Sequence, residues 1–370
     1  MMSEMPHKPV VVIVGAGPAG LFGAYALVEN GIRVVLLNRD IKPGGLAEYG
    51  IYYDKYKIKE GLRKQFRKIL SSPDIGYYGN VTVGEDGDVT LDELRQMGFD
   101  AILVTAGAQG TKWLGLPGEE LEGVYHAKDL IYSYNDLPPF NEREFAIGNR
   151  IAYIGVGNVM VDVAHWAVHD LKVDTVTAVA RRGPAEVKFT RAELAYIAHN
   201  LDLADLDAEI ARVSARMKAV GQNPEEAKAF ILSALSKKAP APASETRVRF
   251  RFLSSPSRIL GDDKGHVVGL EVDDTELILQ DNGDTKARRL GTKHVLDVDT
   301  VIFCIGDKVS DTLGLPVQWN EFVKCPDPSY PVEGVCYEVY APDVSMPLEG
   351  VFVAGWARQA STCLLYTSDA

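Results

Sequence analysis

Three short runs in the chain are apolar or nearly so at every position: Val10–Val14, residues 101–105 and residues 151–154. Each ends in glycine or turn chemistry and is followed by helical periodicity. Strands without a polar face belong to a sheet covered on both sides, as crossover helices cover a parallel sheet. The pattern therefore predicts a doubly wound α/β fold. Between the first and third runs lie helical candidates at Tyr56–Leu70 and Leu91–Gln96, then a linker-like stretch around Pro138 and Pro139. Residues 203–238 read as helical and charged, and the PAPAS stretch at 240–244 breaks the pattern, which predicts a surface excursion over 203–245. From Arg247, Val248, Phe250 and Phe252 alternate with arginines. A turn at 261–265 and a second alternating run at 267–272 follow, predicting a β-ribbon.

Length and composition set the frame for these elements. A chain of 370 residues, 46% hydrophobic and 24% charged, fits two globular α/β domains. Residues 10–28 carry no charge, yet Gly15, Gly17, Pro18 and Gly20 interrupt them, so they read as a buried strand and helix rather than a membrane span or signal peptide. With no targeting signal in view, the expected location is cytoplasmic. The net charge of −12 argues against nucleic acid and anionic membranes, leaving local basic patches to meet acidic ligands. Cys304, Cys325, Cys336 and Cys363 form no Cys-x-x-Cys pair, so a metal site or redox dithiol is not expected.

Two glycine fingerprints carry the chemistry. Gly15-Ala16-Gly17-Pro18-Ala19-Gly20 follows a strand and opens a helix. In that context Gly15 makes the tight turn, Gly17 admits a pyrophosphate to the helix N-terminus, and Gly20 lets helix and strand pack closely. The acidic ribose ligand expected about twenty residues on is replaced by Asn38, an amide that can still bond a ribose, with Asp40 nearby. The second copy, Gly155-Val156-Gly157-Asn158-Val159-Met160, lacks the third glycine. After the next strand stand Arg181 and Arg182 where an acid would select NAD, and two cations there suit a 2′-phosphate. Two fingerprints in one chain predict two dinucleotides, the second NADP.

With these residues in hand, the chain resembles the adrenodoxin reductase type of NADPH-ferredoxin reductase. The likeness is carried by GAGPAG, YYGNVTVG at 77–84, LPGEELEGVYHA at 116–127, GVGNVMVDVA at 155–164, ARRGPAEVKFTRAEL at 180–194 and the closing GVFVAGWARQAST. It implies a discontinuous FAD domain (1–107 and 307–362) with an NADP domain (108–306) inserted, the chain crossing at Thr105-Ala106-Gly107 and returning at Cys304-Ile305-Gly306. It also implies that Arg181 and Arg182 hold the 2′-phosphate, that Asn158, Val159 and Glu193 lie at the nicotinamide nucleotide, and that Asp162 is near both rings. Gly45, Leu46 and Gly50 would run along the flavin, with Gly107, Gly355 and Trp356 closing its site. The implied activity passes electrons from NADPH through FAD to a ferredoxin-like iron–sulfur protein, or the reverse.

Two departures qualify the resemblance. Lys55 follows Asp54 where many relatives have histidine. After Ser361-Thr362 the family pattern calls for a glycine and a long helical segment, whereas here residues 363–370 end the chain. They are expected to be a non-native tail on a truncated flavin domain. The iron–sulfur partner, being acidic, needs a basic face, for which the sequence offers Arg191, Arg212, Arg216 and Lys218, or Lys55, Lys57, Lys59, Arg63, Lys64, Arg67 and Lys68. The rival readings are a flavin subunit of a larger complex such as glutamate synthase, and an inactive nucleotide-binding module.

Overall fold

The computed structural model describes residues 8–235, 241–242 and 244–359. The chain folds as two units. One is drawn from Met1–Lys112, Tyr134–Asn141 and Gly306–Ala370, the other from Trp113–Ser133 and Glu142–Ile305.

The first unit is built on a six-stranded sheet in the order Glu338–Ala341, Met346–Val353, Ala101–Val104, Val10–Val14, Arg33–Asn38, Ile75–Gly79. All neighbours are parallel except the first pair, which is antiparallel. Successive residues of the central strand face opposite ways: Val12 and Val14 pack with Ile102, Val104, Val351 and Val353 on one face. Val11 and Ile13 pack on the other with Leu21 and Ala24 of helix Pro18–Glu29 and Phe66 and Ile69 of helix Tyr56–Leu70. Burial on both faces is why the run reads as uninterrupted hydrophobicity. Helices Tyr56–Leu70 and Leu91–Gln96 have the bounds predicted from periodicity. The second starts at a capping box in which Thr90 Oγ1 accepts from the Glu93 N–H and the Glu93 carboxylate accepts from the Thr90 N–H.

The second unit holds a five-stranded parallel sheet in the order Val124–His126, Thr300–Phe303, Arg150–Ile154, Thr175–Val179, Arg247–Arg251. Its antiparallel ribbon has three strands: Ser254–Gly261, Val267–Leu279 and Thr285–Leu296. The structure thus departs from the sequence reading at Arg247–Arg251, which joins the parallel sheet rather than the ribbon. Its alternation has a different cause: Val248 and Phe250 are buried, while Arg249 and Arg251 turn to Asp202 and Glu209. The third ribbon strand is mostly exposed and polar, so hydrophobic patterning gives it no signal. The excursion resolves into helices Leu203–Lys218 and Pro224–Leu232. Residues 236–240, 243 and the closing stretch from residue 360, including the expected tail at 363–370, lie outside the described residues. Among the described residues no helix is long and apolar enough to cross a membrane, and no group of side chains could hold a metal ion.

Candidate functional site

Each unit places a glycine loop at the carboxyl end of its central strand. In the first, Gly15 adopts φ +106°, a conformation that favours glycine. A Cβ there would lie 2.7 Å from the Thr105 carbonyl oxygen. Gly17 is the N-cap of helix Pro18–Glu29, with Pro18 in its first turn. A Cβ on Gly17 would meet no atom within 4 Å, so the backbone borders open space at a positive helix end. Gly20 is the reverse case: its Cβ would come within 2.6 Å of Thr105 Oγ1 and closer still to the Gly15 carbonyl oxygen. One glycine leaves room for a ligand and the other lets strand and helix touch.

Two further segments converge here. The Gly44 N–H donates to the Ala16 carbonyl at 2.7 Å, and a Cβ on Gly45, at φ +50°, would lie 3.0 Å from Gly17 Cα. Gly45 begins the short helix Leu46–Tyr49, which Gly50 closes. Gly355, at φ +62°, crosses so close to Ala19 that a Cβ would lie 2.6 Å from the alanine methyl, and half-buried Trp356 follows it. Gly107 lies on the loop that leaves Thr105, at φ +70°. The fit to a dinucleotide rests on this cradle: glycines facing open space at a helix N-terminus, bordered by backbone from two other segments.

Asn38 is buried, and its amide is spent on the protein. Oδ1 accepts from the Ala16 N–H at 3.0 Å, and Nδ2 donates to the carbonyls of Asp40 and Lys42 and to the Tyr77 hydroxyl. It braces the fingerprint loop, which an aspartate or glutamate, lacking N–H donors, would not do in the same way.

Behind this loop lies a charged network that the sequence gives no means to assemble. Arg63 clamps buried Glu48 with bonds of 2.8 and 2.6 Å. Burial alone would raise the Glu48 pKa, but the hydrogen bond and charge of Arg63 outweigh it and hold it below the usual carboxylate value. Lys59 Nζ donates to Asn135 Oδ1 at 2.6 Å, and Asn135 Nδ2 donates to the Tyr49 carbonyl at 3.0 Å. Burial pushes the Lys59 ammonium down and the Tyr49 phenol up to about 12. No spacing links residue 135 to residue 59, so only the fold reveals this contact.

In the second unit Gly155 takes φ +117° against the Cys304 carbonyl, and Gly157 is the N-cap of helix Asn158–Trp166, again with open space where a Cβ would stand. Fully buried Met160 occupies the place of a third glycine. The loop is crossed by the segment after the arginines: the Lys188 N–H donates to the Val156 carbonyl at 2.8 Å, and the Thr190 N–H to Asn158 Oδ1 at 2.8 Å. Val159 is exposed beside it, whereas Asp162 and Glu193 are buried. Arg181 is exposed and Arg182 half-buried, and neither side chain is in an ion pair among the described residues. Their backbone is fixed: the Thr275 hydroxyl donates to the Arg181 carbonyl and the Leu253 N–H to that of Arg182. Two guanidinium groups on a fixed backbone, without an acidic partner among the described residues, suit a phosphate dianion. Cys304 is buried, which pushes its thiol up and leaves it inert.

Comparison with known proteins bears on the family and the fold. Residues 9–329 match the family model for pyridine nucleotide-disulphide oxidoreductases. NADPH-ferredoxin reductase FprA of Mycobacterium leprae is 30% identical over 98% of this chain and 81% of its own length. The mitochondrial NADPH:adrenodoxin oxidoreductase of Arabidopsis thaliana is 26% identical over 99% of this chain and 80% of its own. Among solved structures, Mycobacterium tuberculosis FprA in complex with NADPH superimposes with a TM-score of 0.73 at 28% identity, covering 95% of this chain and 79% of that one.

Proposed function

The chain belongs to the pyridine nucleotide-disulphide oxidoreductase family, and on that premise we propose that it passes electrons from NADPH through FAD to a ferredoxin-like iron–sulfur protein. It is an oxidoreductase whose cofactors are FAD and NADP(H). When bound, these supply the redox chemistry, a hydride from the nicotinamide and electrons handed on singly by the flavin.

The protein's share is binding and alignment. In this reading Gly15, Gly17 and the helix starting at Pro18 take the FAD pyrophosphate, with Gly45, Leu46 and Gly50 along the flavin and Gly107, Gly355 and Trp356 closing the site. Gly155, Gly157 and helix Asn158–Trp166 take the second pyrophosphate. Val159, Asp162 and Glu193 border the nicotinamide nucleotide. The observation that carries the choice of nucleotide is the pair of unpaired, backbone-pinned arginines, Arg181 and Arg182, which would meet the 2′-phosphate that distinguishes NADPH from NADH. The named activities of the reductases from Mycobacterium leprae and Arabidopsis support an iron–sulfur acceptor.

The test is an anaerobic absorbance spectrum of the purified protein before and after one equivalent of NADPH, with NADH in parallel. Flavin bleaching that is faster with NADPH, followed by reoxidation on adding ferredoxin, is the expected result. Bleaching without reoxidation by ferredoxin would refute the acceptor, and equal rates with both nucleotides would refute the role of the arginines.

A further inference from the structure

The sequence offers two basic clusters, and the fold separates them. Arg212 is consumed by Glu209 at 2.7 Å and by the Phe252 carbonyl at 2.6 Å, and Arg216 by Asp274 and the Thr275 carbonyl. What remains of that cluster is Arg191 and Lys218, on different helices. In the other cluster Lys55 and Lys59 are buried and Arg63 is shared between Glu48 and Glu60. Lys57, Lys64, Arg67 and Lys68 are left, all exposed, none in an ion pair among the described residues.

These four sit on one helix, Tyr56–Leu70. At about 100° per residue, Lys57, Lys64 and Lys68 fall within roughly 40° of one another, with Arg67 flanking them, and the row extends about 16 Å. Glu60 shares this face, its carboxylate paired with Arg63 at 2.6 Å, so the row is interrupted by one acid that is itself neutralised. At the start of the helix Tyr56 and Ile58 are 61% and 54% exposed, giving the row an apolar end. Lys64 and Lys68 are like charges four residues apart, a repulsion that Glu60, four residues before Lys64 but bonded to Arg63, offsets only in part. The platform is firm: Phe66 and Ile69 anchor the opposite side in the core, and Arg63–Glu48 and Lys59–Asn135–Tyr49 tie the helix to the loop that follows Gly45.

We infer that the outer face of helix Tyr56–Leu70 is the docking surface for an acidic iron–sulfur protein, an inference that rests on the electron-transfer reading above. Charge complementarity argues for it. On a chain of net charge −12, a row of four unpaired cations on one helix presents a local field opposite to that of the whole. Such a field steers an acidic partner and fixes its register more than it adds affinity.

The test uses the FAD-loaded full chain, a recombinant acidic [2Fe–2S] ferredoxin and cytochrome c as terminal acceptor, over a salt series. The Lys64→Glu/Lys68→Glu double variant should raise the KM for ferredoxin roughly tenfold at low salt and flatten its salt dependence. Turnover with ferricyanide and FAD content should stay at wild-type levels. The same charge change at Lys264 and Lys286, exposed on the ribbon of the other unit, should leave KM unaltered. An unchanged KM in the helix variant, or an equal rise in the ribbon variant, overturns the assignment. Wild-type protein that reduces ferricyanide but not ferredoxin overturns the electron-transfer reading and the docking face with it.

Discussion

The hydroxyl of Thr275 donates a 2.7 Å hydrogen bond to the carbonyl oxygen of Arg181. Thr275 is buried beside a register shift in the ribbon, its N–H bonded to the Leu253 carbonyl and its own carbonyl to Arg216. The ribbon thus holds the backbone of an arginine whose guanidinium faces solvent. Thr275→Val keeps the shape and removes the donor, with an expected loss on the order of 1 kcal/mol. Read by calorimetry, binding of 2′,5′-ADP should weaken about fivefold while 5′-AMP is unaffected, and Thr275→Ser should restore it. Equal weakening of both nucleotides would mean that Thr275 supports the fold and not the phosphate.

Gly17 and Gly20 should separate ligand binding from folding. A methyl at Gly17 meets no protein atom within 4 Å, so Gly17→Ala should unfold at the wild-type temperature yet retain less FAD after gel filtration. A methyl at Gly20 meets the Gly15 carbonyl and Thr105 Oγ1, which are not free to move. Gly20→Ala should therefore cost about 1–3 kcal/mol in urea unfolding. If Gly17→Ala keeps its full FAD content, the open space beside it is not the pyrophosphate site.

How much of this was legible in the sequence depends on the kind of signal. Strand Val10–Val14 announces itself as an unbroken apolar run because both of its faces are buried, and helix Tyr56–Leu70 because its burial repeats at 3.6 residues. The fingerprint glycines are legible because few other residues tolerate their geometry. Strand Thr285–Leu296 carries no such mark, being paired along one edge and wet along most of its length. Asn38 was legible as a departure but not in its role, since its partners at 16, 40 and 42 are backbone atoms. Arg216 reads as surface charge because its acidic partner Asp274 is about sixty residues away.

Glu209 joins the helical excursion to the parallel sheet. Its side chain is 1% exposed and accepts from Arg212, from Arg251 and from the Phe252 N–H. Removing a buried charge from such a set strands its donors, at a typical cost of about 3–5 kcal/mol. Both arginines here are partly exposed and can recover some hydration, so Glu209→Ala should fall near the low end, at roughly 3 kcal/mol in urea unfolding. A loss below about 1 kcal/mol would mean that water replaces the carboxylate at little cost.

The Arg63–Glu48 pair makes stability depend on pH. Burial works to raise the pKa of Glu48, but Arg63 prevails, so the group ionises in the fold at lower pH than in the unfolded chain, where its value is 4.5. Its contribution is therefore complete above pH 4.5 and is lost as pH falls through the folded value. Arg63→Gln removes the cause of the depression. The gap in urea midpoint between wild type and Arg63→Gln should be widest near neutrality and close below pH 4.5. Arg63 also bonds the exposed Glu60, so Glu60→Gln is the control: it should leave most of the gap in place, because an exposed carboxylate bonded to the same guanidinium is screened by water. A gap that persists unchanged in acid would show that Arg63 acts through packing of its stem and not through the charge it lends Glu48.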